Sequence, residues 1–185
     1  MAHKEQFNFC KTVKDLFPSM FTSKKVLEAG SYNVNGTIRD LFSNCDYTGL
    51  DIGPGPCVDV VCKAHEFESE PNSFDVVCSC EMFEHDKNID KTLPSLIDKL
   101  KPGGLLFFTC ASIGRREHGT LRSNDSKSSP HTCSDPELAN YYRNLSEKDV
   151  REIVDFDSLF SKYVFQESNL GDPLKADLYF WGIKK

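Results

Sequence analysis

The chain has 185 residues, 22 Lys and Arg against 28 Asp and Glu, and a formal net charge of −6. With 39% hydrophobic and 27% charged residues it is not a disordered chain, and no apolar run approaches the roughly 20 residues of a bilayer span. The length suits one domain, and the acidic balance offers no global field for nucleic acid or an anionic membrane, so the expected partners are small molecules.

In chain order, residues 5–17 carry a helical pattern and 25–29 (KVLEA) a strand. Residues 36–42 (GTIRDLF) read as a helix, and 47–52 (YTGLDI), 58–62 (VDVVC) and 74–80 (FDVVCSC) as strands. A helix over 89–100, a strand over 105–110 (LLFFTC) and an extended loop over 123–136, rich in Ser, Asp, Pro and His, follow. A helix over 146–160 opens with Ser146 and, three residues on, Asp149, a shortened capping box. The chain closes on two strand-like runs, 163–168 (YVFQES) and 176–182 (ADLYFWG), joined by NLGDPLK. Apolar strands alternating with helices imply a parallel sheet covered on both faces, and two strands with a short connection must pair antiparallel. The expected fold is α/β, a doubly wound, mainly parallel sheet of seven strands ending in an antiparallel C-terminal hairpin.

Eight cysteines would suit the disulfide framework of a short secreted chain. The opening MAHKEQ has no apolar signal core, however, so a reducing, cytoplasmic compartment is expected. Cys62, Cys78 and Cys110 end apolar runs, where a free thiol behaves as a small hydrophobe. The CxC of Cys78 and Cys80 and the CxxxxC of Cys57 and Cys62 lack a partner pair at zinc spacing, so no metal is expected.

In open α/β sheets the ligand lies beyond the carboxyl ends of the strands. After KVLEA comes Gly30-Ser31-Tyr32-Asn33-Val34-Asn35-Gly36, rich in residues that tolerate positive φ. Asp51 closes the next strand about twenty residues later, the spacing of a carboxylate that accepts from ribose hydroxyls. Tyr32 and Val34 would crowd a pyrophosphate and Glu28 would repel it, whereas a carboxylate at position 28 suits a cation. An adenosine ligand with a cationic amino acid end, S-adenosylmethionine, meets these conditions.

From about Lys25 to Thr109 the sequence resembles the class I S-adenosylmethionine-dependent methyltransferases, in particular the small stand-alone type 11-like domains. The resemblance rests on VLEAGSYNVNG, YTGLDIGPGPCVDV, CKAHEF, FDVVCSCEMFEH and LKPGGLLFFT in the family's order. It departs at Tyr32 and Val34, where the family's second and third glycines usually stand. The resemblance implies that Glu28, Gly30, Ser31 and Gly36 shape the methionine end of the pocket and Asp51 takes the ribose. It further implies that Ile52 lies on the adenine, Ala64 and His65 border its edge, and Cys80 and Glu81 form the floor. It divides the domain into an N-terminal helix (1–24), a cofactor-binding core (25–110), a substrate-side insertion (111–145) and the last helix with the hairpin (146–185).

Glu84 and His85 follow the fourth strand, where an acceptor would be presented, and a histidine can take a proton at neutral pH. They are candidate catalytic residues, with His118 of the segment after the fifth strand. An equal alternative is that Glu84 and His85 only orient their loop, since methyl transfer needs mostly positioning. Between 115 and 127 four basic residues face two acidic ones. Arg115 and Arg116, with Tyr142 and Arg143, therefore read as a lid for an anionic or hydroxyl-rich small-molecule acceptor. The expected activity is in-line methyl transfer, the alternatives being a cofactor-binding module without turnover and a nicotinamide oxidoreductase. Nucleic acid is not expected as acceptor, because CSCEMFEH stands where an NPPY-like run would follow the fourth strand. A monomer or homodimer is expected, with Tyr179, Phe180 and Trp181 either sheet core or dimer surface.

Overall fold

The computed structural model describes residues 4–125, 127–168 and 171–185. Ser126 of the expected loop and Asn169 and Leu170 of the hairpin connection lie outside the described residues. The elements run α1 (Lys4–Leu16), β1 (Lys25–Ala29), β2 (Asp46–Asp51), β3 (Val60–Val61), β4 (Phe74–Cys80), α2 (Ile89–Lys99) and β5 (Leu100–Ala111). They continue with α3 (Pro130–Ser134), α4 (Glu147–Ile153), α5 (Phe156–Leu159), β6 (Phe160–Ser168) and β7 (Asp177–Lys184).

The strands form one seven-stranded sheet in the order β3-β2-β1-β4-β5-β7-β6. The first five are parallel, and β7 runs antiparallel between β5 and β6. Strand order reverses between β1 and β4, so the loops after these two strands diverge and leave a crevice at the carboxyl edge. Side chains alternate across the sheet. Leu27, Val77, Leu106, Phe108 and Phe180 face α2, α4 and α5, whereas Val26, Val76, Leu105, Phe107 and Trp181 face α1 and the turns beside it. Tyr179, Phe180 and Trp181 are therefore sheet core, at 5%, 0% and 8% exposure, and they present no dimer surface.

Four segments depart from the sequence expectation, one of them the expected loop over 123–136, which contains α3. The helix expected over 36–42 is a single 3-10 turn, Ile38–Leu41, capped by Thr37 accepting from the Arg39 amide. The chain must pair Ser43 with Thr22 directly afterwards, which leaves too few residues to nucleate an α-helix. The helix expected over 146–160 breaks at Val154, where Asp155 caps α5 by accepting from the Ser158 amide and Phe156 enters the core. Its start is as expected, with Ser146 and Asp149 forming both bonds of the capping box. The apolar run 58–62 yields only Val60–Val61, because β3 is an edge strand paired with β2 alone, and Val61 is 52% exposed. No described helix is long and apolar enough to cross a membrane.

Candidate functional site

The chain leaves β1 through Gly30, whose φ of +81° is open to glycine at little cost. A Cβ at this position would lie 2.6 Å from Cβ of Met82, in the loop after β4. Backbone and neighbour together thus require glycine. The Gly30 and Ser31 amides both donate to the Leu50 carbonyl at 2.9 Å, which ties this turn to the end of β2. Asn33 accepts from the Gly36 amide through Oδ1 at 2.8 Å and rounds off the loop.

Two cavities meet at this turn. The larger is an open cleft at the carboxyl ends of β1, β2 and β4. Gly30, Asp51, Ile52, Ala64 and His65 line it, and Cys80, Glu81 and His85 border it from the β4 side. The smaller is lined by Glu28, Ser31 and Gly36, and it shares Gly30, Tyr32, Val34 and Cys80 with the cleft. Each residue expected at a cofactor thus borders one cavity or both.

A carboxylate stands in each cavity. Asp51 accepts from the Tyr32 amide at 3.3 Å and from the Gly53 amide at 3.4 Å. Burial raises its pKa, and the Tyr32 amide opposes the rise. Glu28 is 3% exposed and accepts from the Tyr47 hydroxyl at 2.8 Å. Burial pushes its pKa up to about 7 against that hydrogen bond and the charge of Arg39. A cationic ligand group beside Glu28 would favour its ionised form.

The cleft is roofed by residues from the segment expected to be an extended loop. Ser129 and Pro130 open α3, and His131 on it meets the Tyr32 ring at 4.3 Å between centroids. Ser128, Ser129, His131 and Thr132 all line the cleft. A Cβ on Gly53 would come within 2.3 Å of His131 Nδ1, so the close seating of the roof depends on this glycine. The Ser-Pro start of a helix was the one local sign of an element there.

Beyond β4 lies a buried polar cluster. Glu84 and His85 sit on the 3-10 turn Phe83–His85, and His118 and Tyr142 come from the segments after β5. The rings of His85, His118 and Tyr142 lie 5.1–5.4 Å apart, pairwise. Burial raises Glu84 to about 7, lowers His85 to about 3 and lowers His118 to about 4. All three expected catalytic residues therefore stand together, with His85 reaching the cleft and Glu84 and His118 outside its lining.

The residues of the expected basic lid lie away from the cleft. The Arg115 side chain is 8% exposed, pairs with Asp177 and has its second nitrogen 3.7 Å from Glu81 Oε2. Arg143 pairs with Asp149, and Arg122 with Glu117 at 2.6 Å. Arg116 is exposed, and none of these arginines, nor Tyr142, lines the cleft. Arg115 thus meets an acid from the last strand, whereas Arg122 and Arg143 pair with acids close by in sequence.

The methyltransferase domain family model matches residues 1–145. No curated protein sequence matches the chain. Among solved structures, phosphoethanolamine N-methyltransferase 2 of Haemonchus contortus, in complex with S-adenosyl-L-methionine, is similar at 19% identity and a TM-score of 0.66. The match covers 96% of this chain and 52% of that one, so this chain spans about half its length. Burkholderia thailandensis 1,6-didemethyltoxoflavin-N1-methyltransferase is similar at 13% identity, with a TM-score of 0.64 over 96% of this chain and 77% of its own. The N-methyltransferase NodS of Bradyrhizobium japonicum WM9 is similar at 14% identity over 98% of both chains, with a TM-score of 0.61. These likenesses share the fold, and with a family match over most of the chain this protein belongs to the methyltransferase domain family.

Proposed function

We propose that the chain transfers a methyl group from S-adenosylmethionine to a small-molecule acceptor by in-line displacement. The observation that carries this reading is the placing of two carboxylates, Asp51 in the main cleft and Glu28 in the adjoining cavity, on either side of the Gly30 turn. Asp51 would hold ribose hydroxyls, and Glu28 would face the ammonium of the amino acid end. Ile52, Ala64 and His65 would border the adenine, with Cys80 and Glu81 beneath. The bound cofactor supplies an electrophilic methyl on its sulfonium. His85 would position the acceptor from the cleft wall, with Glu84 and His118 behind it, since the displacement asks chiefly for alignment.

The acceptor proposed here is a small molecule bearing the amine or hydroxyl group to be methylated. Similar structures bear the names of N-methyltransferases, which supports this. The eight free thiols suit a reducing compartment.

Calorimetry with S-adenosylhomocysteine and with NAD tests the cofactor, and a radiolabelled methyl screen over hydroxyl- and amine-bearing acceptors tests turnover. S-adenosylhomocysteine should bind and NAD should not, and Asp51→Asn should weaken binding about 10- to 100-fold, the worth of a hydrogen bond to a charged group. Failure of the wild type to bind S-adenosylhomocysteine overturns the reading. Binding with no product from any acceptor favours a cofactor-binding module.

A further inference from the structure

We propose that Glu84, His85 and His118 form a binding site for one divalent transition-metal ion such as Zn²⁺. Each offers a ligand atom, and the three atoms lie within 4.8 Å of one another. All three residues are buried, at 0%, 5% and 9% exposure. Apart from its own backbone amide, the Glu84 carboxylate has no hydrogen-bond partner among the described residues, and His85 Nδ1 has none. Orphaned acceptors at this depth carry a desolvation cost that a cation would remove.

The orientation of His118 sharpens the point. Its Nδ1 lies 3.1 Å from the Arg116 carbonyl and 3.2 Å from the Tyr142 hydroxyl, which itself donates to that carbonyl, so in the neutral ring the hydrogen sits on Nδ1 and faces two acceptors. Nε2 then presents a lone pair, and it lies 3.7 Å from Glu84 Oε1. Two acceptors thus point at one another. The second nitrogen of each histidine is held from outside, His118 Nδ1 by the Arg116 carbonyl and His85 Nε2 by Ser129 Oγ at 3.1 Å. Metal-bound histidines are oriented in this way by a partner on the other ring nitrogen.

Two imidazoles and one carboxylate, with no thiolate, suit zinc or cobalt, and three protein ligands leave a position open. At metal–ligand distances of about 2.0–2.2 Å the ligand atoms would close to roughly 3.4 Å, a contraction within reach of side-chain rotation. Glu84 is anchored through its carbonyl, which accepts from the Arg143 amide at 2.9 Å, so its backbone need not move. The ion would bind whether or not the cleft takes S-adenosylmethionine.

The test is titration of Co²⁺ into the chelator-treated full chain, followed by visible absorption. One equivalent should bind saturably, with ligand-field bands and no thiolate charge-transfer band. Glu84→Gln and His118→Gln should each weaken binding at least about 100-fold, since loss of even an outer partner costs 10- to 100-fold, while circular dichroism and S-adenosylhomocysteine affinity stay as in the wild type. Should either variant fail to fold, X-ray absorption of the zinc-loaded wild type decides: a nitrogen and oxygen shell with imidazole scattering supports the site. Absence of saturable binding, a sulfur shell, or binding unchanged in both variants overturns it.

Discussion

His131 meets Tyr32 edge to face, with ring centroids 4.3 Å apart and planes inclined by 62°, and so joins α3 to the loop after β1 across the mouth of the cleft. An aromatic pair of this kind contributes about 0.5–1.5 kcal/mol beyond burial. His131→Ala should therefore release S-adenosylhomocysteine roughly 2- to 10-fold faster, with fold stability little changed. Stopped-flow displacement measures the rate, and an unaltered rate would separate α3 from the closing of the cleft.

Gly30→Ala meets two obstacles, a φ of +81° and Met82 Cβ at 2.6 Å from the added carbon. Strain of this type costs about 1–3 kcal/mol, and displacement of Met82 adds to it. The variant should melt several degrees lower and lose most of its S-adenosylhomocysteine affinity. Differential scanning calorimetry and titration calorimetry read the two effects separately.

Glu28 makes stability depend on pH. In the folded chain burial holds its pKa at about 7, against 4.5 for the ordinary carboxyl, so the folded state binds the extra proton between these values. Stability therefore falls as pH rises from 4.5 through 7, because the unfolded chain ionises freely and the buried group does not. By pH 8 the loss amounts to about 3 kcal/mol, since each tenfold change in proton affinity is worth about 1.4 kcal/mol. Glu28→Gln should remove this part of the slope, be the more stable protein at pH 8, and bind S-adenosylmethionine more weakly. Urea unfolding of both proteins at pH 5 and pH 8 checks the sign, and equal slopes would exclude Glu28 as the titrating group.

Arg115 and Arg143 should respond very differently to substitution. Arg115→Met leaves Asp177, buried at 0% exposure, without its guanidinium, and breaking a buried pair costs about 3–5 kcal/mol. Arg143→Ala removes a pair whose arginine is 52% exposed, which is worth about 1 kcal/mol at most. Thermal unfolding separates them. If Arg115→Met instead left stability intact and raised only the acceptor KM, Arg115 would be a recognition residue.

The parts of this protein legible in the sequence are those carried by residues close together along the chain. Apolar runs in KVLEA, FDVVCSC and LLFFTC specified strands, because each buried strand must offer apolar side chains to two faces. Glu28, Gly30 and Asp51 marked the crevice for the same local reason, since a strand end and the turn after it are contiguous. Local pattern overstated the helix at 36–42, where pairing of Ser43 with Thr22 left a single turn.

Contacts between distant segments account for the remainder. Arg115 looked free to read an anion until the fold brought Asp177 from the last strand against it, and no local signal announces a charge partner so distant in sequence. His131 joined the cleft because α3 folds back over Gly53, and His118 met Glu84 because the segment after β5 returns beside the turn after β4. Local residue pattern was enough to specify the sheet and the edge of it that holds a ligand. Which charges are neutralised and which lone pairs confront one another depended on packing across the chain, where burial removes the water that would otherwise satisfy them.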